Sequence, residues 1–295
     1  MIQRKLEFLI AFCLVMYLFS CNSTDKEYMQ SIENWHQLRI DSLKGKTGFL
    51  NLAGLYWLQE GENAFGSNSI NQLVFPDKTP FQLGVFILKD SIVTLLPKTS
   101  IRVDGQLTSD SVKVYEKGVM KNMSYESFSW FVIKRGDTYG IRLRDYAHPL
   151  LTTFDSIDYF VTDSKWKIDA KWKTYCEPKE IPFQNMNGLT INYPIIGAFF
   201  FTIDGKEYKL EPLGEPEPDG YFVMFYDKTS GNSTYGSGRY LYVQEPDKWG
   251  HSVLDFNKAY NPPCAFTEFA TCLFPHQENR LPIFIEAGEK FSEHL

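Results

Sequence analysis

Hydrophobic and polar positions change period once along this chain. From Glu27 to Leu43, Tyr28, Ile32, Trp35 and Leu38 recur at three- and four-residue steps, which places them on one face of a helix. Gly45 follows as a C-terminal stop. This helix is expected to pack its Trp35 face against the first domain. After Gly45 the period drops to two and strands dominate. Phe49 to Leu58 is apolar and aromatic, and it closes on the turn cluster Glu60-Gly61-Glu62-Asn63. Leu83 to Leu88 and Ile92 to Leu96 flank Asp90-Ser91, and Phe128 to Lys134 and Tyr139 to Arg144 flank Arg135-Gly136-Asp137, so each pair reads as a hairpin. Asp104-Gly105 is a further tight turn, since both residues tolerate positive φ. Between Lys165 and Lys171 the alternation is strict, with Trp166, Ile168, Ala170 and Trp172 on one side and charged residues on the other. Ile195 to Ile203 turns through Asp204-Gly205 into Tyr208 to Leu210, and Tyr221 to Tyr226, Arg239 to Val243, Ser252 to Asn257 and Ile283 to Glu286 complete the strands. No repeat of 20–50 residues is visible, which excludes solenoids and propellers.

The strand pattern breaks near Thr174 to Gly188, where Cys176-Glu177-Pro178, Ile181-Pro182 and Asn185-Met186-Asn187-Gly188 are turn-prone. The expected fold class is mainly β, in two β-rich units with one N-terminal helix. The expected limits are 1–20 for a leader, 21–46 for a tether and helix, 47–175 for an N-terminal β sandwich, and 176–295 for a C-terminal β sandwich or barrel.

The leader carries an address. Arg4 and Lys5 precede an uncharged apolar run from Phe8 to Phe19. That run is short of the roughly 20 apolar residues needed to span a bilayer, and it fits the h-region of a secretory signal. Ser20 and Cys21 follow at once and resemble a bacterial lipobox, in which the cysteine thiol is acylated and the chain is cut just before it. Phe19 departs from the smaller residue usual there. The resemblance implies a cell-envelope protein held to membrane lipid through Cys21. Asn22, in place of an aspartate, favours the outer membrane.

Composition narrows the partners. Removing residues 1–20 takes away Arg4, Lys5 and Glu7, which leaves 28 basic and 35 acidic residues and a net charge near −7. Nucleic acid is excluded as a partner, because phosphates demand basic patches. The 24 Phe, 17 Tyr and 6 Trp fit a pleated β core, with exposed rings for a sugar or peptide as the sharper alternative. Outside the inner membrane Cys264 and Cys272 can form a disulfide across their short Pro-rich loop, while pairings through Cys176 stay open.

The chain has no G-x-S-x-G elbow, no H-E-x-x-H and no P-loop. Its five histidines lack metal-ligand spacing, and Cys264-x7-Cys272-x3-His276 lacks a fourth ligand, so no metal or cofactor is expected. Gly231, Gly236 and Gly238 are read as tight turns or close backbone approaches. The candidate ligand-binding set is Tyr235, Arg239, Asp255, Asn257, Tyr260, Arg280 and Glu286, with Asn261 beside them. An arginine in this set offers a planar fork to an anionic or polyhydroxy ligand, with Tyr260 or Phe266 stacking alongside. The opposing expectation is that Arg239 and Arg280 pair with Asp255 and Glu286 and pin the long loop to the sheet. An alternative chemistry is a hydrolase acting on envelope or carbohydrate substrates, with Asp255 and Glu286 as an acid/base pair roughly 5–9 Å apart.

Three stretches carry a family resemblance: Asp227-Lys228-Thr229-Ser230-Gly231, Thr234-Tyr235-Gly236-Ser237-Gly238-Arg239-Tyr240, and Asp255 to Phe266 with its Asn261-Pro262-Pro263-Cys264 core. With Asn279-Arg280-Leu281-Pro282 and Glu286-Ala287-Gly288-Glu289-Lys290, they resemble the bacterial and archaeal domain of unknown function 1684. The resemblance implies no reaction. Leu58-Gln59-Glu60-Gly61-Glu62-Asn63-Ala64-Phe65-Gly66-Ser67 and Asn71 to Pro76 look like the opening of a forkhead-associated sandwich, with Ser67 where its phosphate-reading arginine would be. That likeness implies the sandwich without the phosphopeptide site. The expected protein is thus a lipid-anchored envelope protein binding a small polar ligand or a partner through its C-terminal domain.

Overall fold

Paired residues with positive φ place the hairpins. Asp90 and Ser91 sit at φ 50° and 65°, Asp104 and Gly105 at 49° and 83°, and Asp204 and Gly205 at 49° and 73°. Two successive positive φ values suit a two-residue turn that matches strand twist. The computed structural model describes residues 25–185, 188 and 190–291, so the leader and Cys21 lie outside the described residues. A helix, α1, covers residues 25–44.

The first half is a sandwich of two six-stranded sheets. In chain order its strands are β1 (Leu52–Trp57), β2 (Gly61–Gly66), β3 (Leu73–Val74), β4 (Gly84–Lys89), β5 (Ile92–Pro97) and β6 (Ile101–Val103). They continue with β7 (Gln106–Thr108), β8 (Val112–Glu116), β9 (Val119–Met120), β10 (Met123–Tyr125), β11 (Phe128–Arg135) and β12 (Thr138–Asp145). One sheet runs β1-β12-β11-β10-β6-β7 and the other β3-β2-β4-β5-β8-β9. Their inner faces share a core of Phe65, Phe75, Phe86, Phe128 and Trp130, with neighbouring rings 4.3–6.0 Å apart. Ser67 donates to the Thr79 carbonyl and so closes a turn of this unit.

The second half is built on β13 (Lys167–Gln184), β14 (Thr190–Ile203), β15 (Lys206–Leu210), β16 (Tyr221–Phe225), β17 (Arg239–Val243) and β18 (His251–Asp255). The sheet order is β15-β14-β13-β18, with β16-β17 as a separate hairpin. Its core gathers Phe199, Phe225, Leu241, Leu254, Phe256 and Ile285. The burial alternation expected at Lys165 to Lys171 appears, with Trp166 and Ala170 buried and Lys165, Lys167, Asp169 and Lys171 exposed, but Ser164–Trp166 is a 3-10 turn and the strand itself begins at Lys167.

Three expectations need correction. The boundary at 175/176 falls inside β13, and the two cores separate between residues 143 and 166. The ladder with β14 shifts register between Thr174 and Lys179, so Pro178 sits in an irregular stretch where no ladder donor is required. Pro182 stays in register opposite Asn192, on a segment beyond the reach of β18, which pairs only at Lys167 to Lys171. Prolines therefore mark a kink and an edge here rather than a linker. Second, Ile283 to Glu286 is not a strand. No ladder forms there: the Ile283 carbonyl accepts from Lys228 N–H, Ile285 N–H donates to the Asp227 carboxylate, and the Ile285 carbonyl accepts from Arg239. Third, α1 docks on the second unit. Tyr28 donates to Asp255 at 2.7 Å, Arg39 donates to Glu289 at 2.9 Å, and Trp35 lies 6.4 Å from the Tyr260 ring. Ile32 and Leu43 are buried on this face, but Leu38 is 66% exposed.

Candidate functional site

Docking of α1 leaves a cleft of about 1000 Å³ beneath it. Trp35, Leu38, Arg39 and Ser42 form one wall. Phe222 from β16 and Tyr240 and Tyr242 from β17 form the floor, and Ser252, Val253 and Asp255 from β18 form the other wall. Leu38, an apolar residue left largely in the open, faces this cleft.

The floor is aromatic and ordered by stacking. Tyr242 and Tyr260 lie nearly parallel, 11° apart at 6.4 Å, and Tyr240 stands edge-on to Tyr260. The Arg39 guanidinium lies 4.6 Å over Tyr260 while its Nε holds Glu289. Around the rings stand Lys167 and Lys258, Asp219, Glu245 and Asp255, and the Gln244 amide. Asp255 accepts from Tyr28, and burial with that bond drives the Tyr28 phenol pKa upward. Burial likewise raises Tyr242, helped by its bond to Glu217. These phenols are therefore neutral donors near neutrality. Concave sites that combine apolar rings with a few placed polar groups are the usual form of small-molecule sites.

Of the residues expected from sequence, Asp255 and Tyr260 line the cleft. Asn257 lies behind it, buried, bonding Tyr28 and the Asp163 carbonyl. Tyr235 packs away from it against Phe291 and donates to the Cys264 carbonyl. Asn261 is buried and donates to the Lys290 carbonyl. Arg280 is exposed, lies over the Tyr226 ring at 4.5 Å and borders a separate cavity of about 480 Å³. Glu286 is exposed and does not border the cleft, so the structure does not bring Asp255 and Glu286 together there.

Arg239 needs the plainest correction. It is 0% exposed and cannot meet a ligand. Gly238, just before it, holds φ 86° with Phe225 O only 2.6 Å from where a Cβ would sit, so only glycine lets the chain enter β17 this close. Arg239 then turns inward. Its Nη2 meets Asp227 at 3.2 Å and the Ile285 carbonyl at 2.9 Å, while Nη1 donates to the Ala287 carbonyl. The pinning role was expected, but the partner is Asp227 rather than Asp255 or Glu286.

Residues absent from the sequence-based set include Trp35, Arg39, Phe222 and Tyr242 in the cleft, and a polar cluster around Glu211. The Glu211 side chain is fully buried and accepts from Tyr175, from Lys179 at 3.0 Å and from Lys209 at 3.1 Å. Burial alone would raise its pKa, but these donors outweigh it and hold the carboxyl below its usual range. His276 lies 3.6 Å away and is kept neutral by desolvation. Arg39 had a readable signal: a cation four residues after Trp35 on the apolar face requires a buried partner. Among the described residues no cluster of three or more His, Cys, Asp or Glu could hold a metal ion.

The expected disulfide is not formed. Cys264 and Cys272 are free thiols in contact, with the Cys264 N–H donating to Cys272 Sγ at 3.1 Å. Cys176 is exposed on β13.

Comparison with known proteins now separates the two halves. Residues 152–290 match the family described as protein of unknown function (DUF1684). All the motifs that carried the resemblance fall inside this stretch. The DUF1684 segment supplies β13–β18 and the cleft floor, while α1 and the first sandwich lie outside it. The cleft is therefore composite. A solution NMR structure of an uncharacterised protein from Haloarcula marismortui is 28% identical, covers 48% of this chain and 80% of that one, and superposes with a TM-score of 0.40. None of the curated proteins matches.

Proposed function

We propose that this chain is a lipid-anchored protein of the cell envelope that holds a polyhydroxylated, sugar-like ligand in the cleft beneath α1. The observation that carries the reading is the pairing of ring faces with hydroxyl-seeking groups. Trp35, Phe222 and Tyr242 offer flat apolar surfaces, and Asp219, Asp255 and Gln244 stand beside them. Rings contribute contact area at low entropic cost, while carboxylates and amides set orientation. Cations and anions share the rim, so the cleft suits a ligand with many hydroxyls better than a compact anion.

A thermal-shift screen of the full chain against neutral, amino and acidic mono- and oligosaccharides tests this. A bound sugar at 100 times its dissociation constant should add about 2.7 kcal/mol to stability. The shift should vanish in Trp35→Ala and weaken in Asp255→Asn. If no sugar shifts the wild type, or if the shift survives Trp35→Ala, the reading fails.

The anchor is supported by the leader sequence, with Cys21 as the acylated residue and the outer membrane favoured by Asn22. Metabolic labelling with a fatty-acid probe should mark the chain and leave Cys21→Ala unmarked. Label persisting in that variant would refute acylation there. A net charge near −7 for the mature chain leaves the hydrophobic chains, rather than basic residues, to hold the membrane.

A further inference from the structure

Cys264 and Cys272 share one loop but differ in setting. Cys264 follows Pro263, at the rim of the cleft, and is partly exposed. Cys272 is buried, close to Tyr240 and to the Arg142 side chain of the first sandwich. The Cys264 backbone N–H donates to Cys272 Sγ at 3.1 Å, which holds the two cysteines together. The loop is held at both ends. Tyr235 OH donates to the Cys264 carbonyl, and Tyr240 OH donates to the Leu273 carbonyl at 2.9 Å.

We propose that Cys264 and Cys272 form a reversible dithiol–disulfide couple, in which Cys264 meets a hydroperoxide and Cys272 resolves the product. Contact, unequal exposure and a loop fixed at both ends point to this. The Cys264 thiolate attacks the terminal peroxide oxygen, and the O–O bond breaks. The leaving alkoxide takes a proton and departs as an alcohol, leaving a sulfenic acid on Cys264. Cys272 sulfur then attacks Cys264 sulfur, so that the S–S bond forms and the S–O bond breaks. The hydroxide leaves with the Cys272 proton as water. Two thiols and one hydroperoxide thus become a disulfide, an alcohol and water, and a reducing dithiol restores the starting pair. The electrostatics follow the same order. Interaction with the Cys272 side chain lowers the Cys264 pKa, while the same interaction and burial push Cys272 up. The more acidic, more accessible thiol is the one that attacks.

The test resolves the cysteines by peptide. The reduced full chain is exposed to hydrogen peroxide and digested without reduction. The tryptic peptide running from Ala259 to Arg280 contains both residues, and it should lose two hydrogens and regain them after dithiothreitol. In Cys272→Ser, dimedone should trap a sulfenic acid on Cys264. In Cys264→Ser, oxidation of Cys272 should be at least roughly tenfold slower. The proposal is overturned if the peptide mass does not change, if dimedone marks Cys272 rather than Cys264, or if the bond fails to reopen in folded protein.

Discussion

Arg239→Met should destabilise the DUF1684 segment by about 3–5 kcal/mol, because it leaves a buried carboxylate without its cation. The side chain is wholly buried and ties together three pieces of chain. Asp227 lies in the motif after β16, and the Ile285 and Ala287 carbonyls lie in the C-terminal segment. Burial alone lowers the guanidinium pKa, and Asp227 opposes that. Methionine would also strand both carbonyls, each costing about 1–3 kcal/mol if unsatisfied. Lysine should rescue little, since one ammonium cannot reproduce a planar fork that serves Asp227, Thr229 and the Ile285 and Ala287 carbonyls. Urea unfolding monitored by tryptophan fluorescence measures the effect. A ligand-holding arginine would behave differently: its loss would weaken binding and leave the unfolding midpoint alone. A change below about 1 kcal/mol would return Arg239 to the binding candidates, in conflict with its burial.

What the sequence revealed depended on how local the cause was. The turns at Asp90-Ser91, Asp104-Gly105 and Asp204-Gly205 were legible because positive φ is a property of two adjacent residues. The alternation from Lys167 to Lys171 was legible because one face of a single strand decides it, whereas the 3-10 turn at Ser164–Trp166 that leads into it was not. The passage of β13 through Pro178 was not, since a proline reads as a break unless the neighbouring strand is known to shift register there. Ile283 to Glu286 had the composition of a strand, but the Ile285 donor and acceptor are taken by the Asp227 and Arg239 side chains, which no local pattern announces. The cleft was half legible. Asp255 and Tyr260 stood in recognisable motifs, whereas Trp35 and Tyr242 meet only because α1 folds back across some 200 residues of chain.

The same long-range closure makes Arg39→Met the second severe substitution, at about 3–5 kcal/mol. Arg39 Nε holds Glu289, Nη2 donates to the Asn261 carbonyl at 2.9 Å, and the guanidinium plane covers Tyr260 and Phe266. Glu289 is 0% exposed, and its other oxygen accepts from Asn261 N–H at 2.7 Å. Burial already raises the Glu289 pKa against the pull of Arg39. Without Arg39 that rise grows. An acid whose folded pKa exceeds its unfolded value costs stability above the folded pKa, and the cost disappears below the unfolded pKa of about 4.3. The deficit of Arg39→Met should therefore be larger at neutral pH than in acid, and shrink as the solution is acidified toward the unfolded pKa of about 4.3. Glu289→Gln added to Arg39→Met should recover much of the loss at pH 7, because the amide keeps an acceptor for Asn261 and removes the stranded charge. The recovery should fade as pH falls, which separates an electrostatic cause from lost packing. Equal deficits at both pH values, with no recovery in the double variant, would instead place the helix's hold on the second unit in Ile32, Trp35 and Leu43. If α1 comes away in Arg39→Met, the cleft loses a wall, and the Trp35-dependent sugar shift should go with it.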